Sequence, residues 1–170
     1  MKKSKKTKMK FAILLVMTIF TLSSFAQEVK NYQGIIEIDG ATSFRKGSPF
    51  LSRVDFINGY NFNHNVSMGL GIGIRFAPEK IGNDGSHMIP VYANLRTKLF
   101  YEQCNNAYPY VQTGLGVMFT TKGGERGTFF RQSFGVGFKN SSVSIGISGE
   151  IFSIYYASPL IIGMNFGFTF

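Results

Sequence analysis

A period-two alternation of apolar residues with small or polar ones recurs along this chain, and it limits the possible folds more than any other feature. In its clearest run Val66, Met68, Leu70, Ile72, Ile74 and Phe76 alternate with Ser67, Gly69, Gly71, Gly73 and Arg75. The final residues repeat it: Leu160, Ile162, Met164, Phe166, Phe168 and Phe170 alternate with Ile161, Gly163, Asn165, Gly167 and Thr169. Successive side chains of a strand point to opposite faces, so this spacing predicts β-strands with one apolar face and one small or polar face.

Eight such segments follow one another, separated by clusters of Gly, Asn, Pro, Ser and Lys. They run about Tyr32–Phe44, Phe50–Tyr60, Val66–Phe76, Met88–Phe100, Tyr108–Thr121, Phe129–Lys139, Ser142–Tyr155 and Leu160–Phe170. No stretch carries a long helical period. Pro90 falls near a strand start, where a missing N–H is tolerated. In the seventh segment Val143, Ile145, Ile147 and Ile151 keep parity while Phe152 and Ile154 break it, which predicts a bulge. Strands joined by short connections make an up-and-down meander, and closing the first strand on the eighth removes two exposed edges.

Two closed barrels fit this count. A soluble ligand carrier packs its apolar face inward, whereas a membrane barrel turns it outward. The second face decides between them. It is rich in Gly and Ser, which make sense inside an eight-stranded barrel whose lumen barely holds side chains. It also carries scattered ions of both signs, which predicts an interior hydrogen-bonded cluster of Glu37, Asp39, Arg53, Asp55, Arg75, Arg96, Arg131 and Glu150. The cluster reads as a plug that sets strand register rather than as a transport path. Aromatics near segment ends point to interfacial girdles, although Trp is absent: Tyr60, Phe62, Phe76, Phe100, Tyr101, Tyr108, Tyr110, Phe129, Phe130, Tyr155, Tyr156 and Phe170. Backbone pairing agrees, because a closed barrel leaves no N–H or C=O unpaired in hydrocarbon.

The first residues read differently. Six lysines precede Lys10 or stand at it, an apolar run follows from Phe11 to Phe20, and Ser24 and Ala26 supply small residues at −3 and −1 of a cleavage site. The run is too short to span roughly 30 Å of hydrocarbon comfortably. Residues 1–26 are therefore expected to be a signal peptide for Sec export, and residues 27–170 the barrel domain. Gln27 occupies the position where a lipoprotein would need Cys. Of 18 basic residues six leave with the leader, and the twelve remaining against nine acidic residues give +3 rather than +9. That removes the nucleic-acid reading that a basic chain invites. The single Cys104 excludes an internal disulfide and reads as an inert thiol.

An even strand number puts both ends of the barrel on one side, expected to be periplasmic, with short turns near Asn61–Asn65, Glu102–Ala107 and Asn140. External loops are expected near Arg45–Ser48, Pro78–His87, Lys122–Arg126 and Ala157–Ser158. His64 and His87 then lie on opposite sides and share neither metal nor proton. His87 with Asp84 and Ser86 supplies the residue types of a hydrolase, but common loop residues alone make a weak motif. Glu37 and Asp39 read as partners for arginine, not as an acid–base pair. The Gly-x-Gly runs at Gly69–Gly73 and Gly114–Gly116 lie inside strands, where a phosphate loop cannot form.

The Lys-rich leader, the closing Phe166-x-Phe168-x-Phe170 pattern and the Val66–Phe76 strand together resemble the small outer-membrane β-barrel family of Gram-negative bacteria, of the OmpA/OmpX-type eight-stranded build. The resemblance implies insertion by the barrel-assembly machinery, with Leu160, Ile162, Met164, Phe166, Phe168 and Phe170 as its recognition signal. It implies no substrate.

The expectation is thus an all-β protein, an eight-stranded antiparallel up-and-down transmembrane β-barrel after a cleaved signal peptide. It is expected to be an integral, monomeric outer-membrane protein in contact with lipid, with a side-chain-filled lumen and a structural role in the envelope. No cofactor, metal, nucleic acid or catalytic residue is expected. The alternatives are a narrow porin-like channel for small solutes and a loop-based outer-membrane enzyme.

Overall fold

The structure, a computed structural model, describes residues 31–43, 50–76, 87–121, 124–153 and 160–170. Eight strands form: β1 (Tyr32–Ser43), β2 (Leu51–Asn61), β3 (Val66–Phe76), β4 (Met88–Lys98), β5 (Ala107–Thr120), β6 (Arg126–Phe138), β7 (Val143–Ser153) and β8 (Leu160–Thr169). Each pairs antiparallel with its chain neighbour, and β1 pairs with β8, so the sheet closes into a barrel.

Strand β6 begins at Arg126, paired with Phe119, so this residue belongs to the sheet and not to the loop expected around it. Among the described residues the bulge expected from Phe152 and Ile154 is absent, and Ile154 itself lies outside them. The β6–β7 register runs without slip through Phe129↔Phe152 and Phe130↔Ile151, and Phe152 keeps its parity by pointing inward, where it is buried. Pro90 leaves its mark elsewhere: the β3–β4 pairing lapses between Ile72↔Val91 and Arg75↔Met88, where an N–H is missing.

The stagger of the barrel follows from one circuit of paired residues. From Gln33 the pairs lead through Gly59, Gly69, Asn94, Gly114, Arg131, Glu150 and Ile161 and return to β1 at Ser43. The ten-residue offset between Gln33 and Ser43 corresponds to strands tilted by about 40°. At the seam, Phe170 extends the ladder beyond the last regular pair. Its N–H donates to the Gly34 carbonyl at 2.9 Å, and the Gly34 N–H donates to the Phe170 carbonyl at 2.8 Å.

Parity sorts the side chains. The outer surface shows Leu70 at 71 %, Ile38 at 58 %, Met164 at 57 % and Phe166 at 54 % exposure, while the interior takes the arginines, carboxylates, serines and glycines. The inward apolar residues gather mainly at the end where β1 meets β2: Ala41, Leu51, Met88, Met118, Phe129, Phe152 and Ile161. Phe129 therefore fills the lumen instead of joining a girdle, and so does Tyr110 near the other end. Tyr60, Phe62, Phe76, Phe100 and Phe130 are exposed, whereas Tyr155 and Tyr156 lie outside the described residues.

The short connections 62–65, 99–106 and 139–142 share one end with Tyr32 and Phe170. In the first, the Asn63 side-chain oxygen accepts from the N–H of Asn65 and of Val66, each at 2.8 Å, an Asx turn that fastens the hairpin. In the second, Phe100 takes a left-handed φ of 52°, and its carbonyl accepts from the N–H of Gln103 and Cys104.

Candidate functional site: the charged interior

Register alone places like charges side by side on one wall of the barrel. Glu37 stands opposite Asp55 across the β1–β2 ladder, and Arg53 stands opposite Arg75 across β2–β3. Such neighbours repel. The far wall resolves the conflict. Arg131, on β6, reaches across the lumen and donates from Nη1 to Asp55 Oδ2 at 2.8 Å and from Nη2 to Asp39 Oδ2 at 3.0 Å, with Glu37 Oε2 also 3.0 Å from Nη2. Glu150, on β7, reaches between the two arginines: Arg75 Nη2 donates to Oε1 at 2.7 Å and Arg75 Nε to Oε2 at 3.2 Å, while Arg53 Nη1 stands 3.1 Å from Oε2.

The remaining contacts tie the cluster together. Arg75 Nη1 donates to Asp55 Oδ1 at 3.0 Å, and Arg53 Nη2 donates to Ser148 Oγ at 2.6 Å. Ser148 in turn donates to Asp39 Oδ1 at 3.2 Å, and Gln112 Nε2 donates to Glu37 Oε2 at 3.1 Å. Arg53, Arg75, Asp55, Glu37 and Glu150 are fully buried, and Asp39 and Arg131 nearly so. A buried charge is tolerable only when paired and hydrogen-bonded, and the forked guanidinium suits carboxylates on several strands at once.

Arg96, expected in the same cluster, stands apart. It is buried, but it packs 3.8 Å from the Tyr110 ring centroid and makes no ion pair with the described residues. The ten-residue stagger sets it nearer the turn end than the other arginines, beyond reach of the carboxylates. Three arginines thus face four carboxylates in the cluster.

Glycines make the room. A Cβ at Gly73 would overlap the Asp55 carboxylate, and one at Gly163 would come within 2.5 Å of Arg53 Nη2. The Tyr92 ring lies over Gly71 in the same way. Ser148 and Gln112 are functional members that a search for charges passes over, although their inward parity marks them. Tyr92 also lies on the inward face.

This arrangement binds strands and leaves its carboxylates engaged with guanidinium groups. Among the described residues no three His, Cys, Asp or Glu are placed to hold a metal ion. His64 and His87 lie at opposite ends of the barrel, and the His87 ring packs 5.4 Å from the Phe76 ring. Asp84 and Ser86, the other expected hydrolase components, lie outside the described residues, as do residues 1–26. Cys104 is half-buried in the β4–β5 connection, and no disulfide involves it.

No family model and no curated protein matches the sequence. Solved structures do match the fold. The N-terminal β-barrel domain of Pseudomonas aeruginosa OprF is 18 % identical with a TM-score of 0.52, over 82 % of this chain and 98 % of that one. Yersinia pestis outer membrane protein Ail, in a phospholipid bilayer nanodisc, is 14 % identical with a TM-score of 0.55, over 83 % and 100 %. The outer membrane enzyme PagL is 12 % identical with a TM-score of 0.58, over 79 % and 97 %. The chain has the fold of eight-stranded outer-membrane β-barrels.

Proposed function

We propose that this chain is a small integral protein of the Gram-negative outer membrane whose sealed barrel supports the envelope. One observation carries the reading: burial is inverted. The largest fully buried side chains are Arg53, Arg75, Arg96 and Arg131, while Leu, Ile, Met and Phe cover the outside. Water would penalise that exterior, and hydrocarbon favours it. Residues 1–26 act as a cleaved signal for Sec export, the barrel-assembly machinery inserts the barrel through its Leu160–Phe170 strand, and the protein works as a monomer surrounded by lipid.

A narrow channel is the second reading, because the turn-end half of the lumen is polar. The ion-pair cluster and the apolar plug of Leu51, Met88, Met118, Phe129 and Phe152 argue against an open path. A loop-based enzyme is the third, and His87→Ala tests it.

The deciding experiment is expression of the whole chain in a Gram-negative host. The product is expected in the outer-membrane fraction, lacking residues 1–26, and folded and boiled samples are expected to migrate differently on gels. In planar bilayers it should show no discrete conductance steps. A detergent-free soluble monomer would overturn the membrane reading, and regular open steps would replace the sealed barrel with a channel.

A further inference from the structure

The turn end of the barrel gathers positive charge that the interior cluster does not use. Arg96 is 2 % exposed, and its Nε, Nη1 and Nη2 have no hydrogen-bond partner among the described residues. Two residues later on the same inward face, Lys98 Nζ stands 5.0 Å from the Tyr101 ring centroid and 5.6 Å from that of Tyr108. Lys139, just past β6, brings its Nζ to 4.5 Å from the same Tyr101 ring. Among the described residues no carboxylate lies within ion-pair distance of these three cations. A cavity of about 380 Å³ opens on the Lys98 side of this group, lined by Lys98 and Tyr101 with Asn31, Asn61, Phe62, Asn63 and His64; Arg96 and Lys139 stand behind its wall.

Like charges brought together repel, and aromatic faces offset only part of that cost. A buried guanidinium with unmade hydrogen bonds adds to it. A doubly charged oxyanion offsets the repulsion, because the Lys98 ammonium can donate to it directly while Lys139 and the deeper guanidinium act through their field. The cavity has sugar-sized volume, and its wall of amides and rings suits a polyol. We propose that the turn-end mouth binds a phosphate monoester on a molecule of about sugar size, with Lys98 as the direct ligand and Lys139 and Arg96 supplying charge from behind the cavity wall. The phosphate belongs to a soluble ester or to a lipid that ends in a phosphate monoester; the chemistry at the site is the same. This goes beyond the membrane reading, and gel migration tests that reading separately.

The test is calorimetric titration of the processed protein, residues 27–170, in phosphatidylcholine nanodiscs with glucose 6-phosphate, inorganic phosphate and glucose. The two phosphates are expected to bind, more weakly as salt rises, and glucose is not. K98Q/K139Q is expected to lose at least about tenfold in affinity while keeping folded gel migration, and R126Q at the opposite end is expected to bind as the unaltered protein does. If phosphatidic acid in the nanodisc suppresses glucose 6-phosphate binding, a lipid phosphate fills the site; if binding persists, the ligand is a soluble ester. Heats no different from those of glucose, undiminished binding by K98Q/K139Q, or an equal loss in R126Q would overturn the proposal.

Discussion

Arg131 on β6 and Asp55 on β2 meet across the full width of the lumen, Nη1 to Oδ2, at 2.8 Å. They are 76 residues apart and lie on opposite walls, so their contact cross-links strands that share no backbone ladder. Arg131 also holds Asp39 and Glu37, and among the described residues it alone pairs with all three of these carboxylates, Arg53 adding a contact at Asp39 and Arg75 one at Asp55.

Arg131→Met therefore leaves Glu37, Asp39 and Asp55 crowded in a water-poor interior. It is expected to destabilise the barrel by about 3–5 kcal/mol, read as a lower urea midpoint for loss of folded gel migration. Adding Asp55→Asn should return part of that loss, because it removes one of the stranded charges. An Arg131→Met barrel as stable as the parent would show that the cluster contributes nothing to the fold.

The glycines beside the cluster serve as space. Gly73→Ala puts a methyl where the Asp55 carboxylate lies and is expected to cost about 1–3 kcal/mol. At Gly149 the nearest atom to an added Cβ is Leu160 Cδ1, 4.0 Å away, so Gly149→Ala should change stability by no more than about 0.5 kcal/mol. Equal effects at the two positions, measured by the same urea titration, would refute the packing argument.

At the seam, deleting Phe170 removes the two backbone hydrogen bonds to Gly34 and the ring packed against it. A loss of about 1–3 kcal/mol is expected, together with slower refolding into lipid vesicles. Phe170→Leu keeps the backbone pair and should fall between the deletion and the parent.

The outer face is tested by Leu70, the most exposed of its large apolar residues at 71 %. Leu70→Arg is expected to cost about 2–4 kcal/mol when the barrel folds into bilayers. In a Cys104→Ser background, cysteines placed at Leu70 and Phe134 should resist water-soluble maleimide in vesicles. Rapid labelling at both would mean that these side chains face water.

Strand number, strand limits to within a few residues, and the choice of inward face were all readable in the sequence, because side-chain parity is a local property of an extended chain. Glu37, Asp39, Arg53, Asp55, Arg75, Arg131 and Glu150 all shared the inward parity for that reason. Pairing across the lumen was not readable. It depends on the ten-residue stagger between Gln33 and Ser43, which sums small offsets at eight ladders and has no signature in any one strand. That stagger puts Arg131 level with Asp55 and leaves Arg96 on Tyr110. It also places the inward Phe129 and Phe152 in the apolar plug, where a local reading saw a girdle residue and a bulge. The alternation of the chain determined which residues turn inward; only closure of the barrel decided which of them meet, because distance along a strand becomes height in the lumen once the tilt is set.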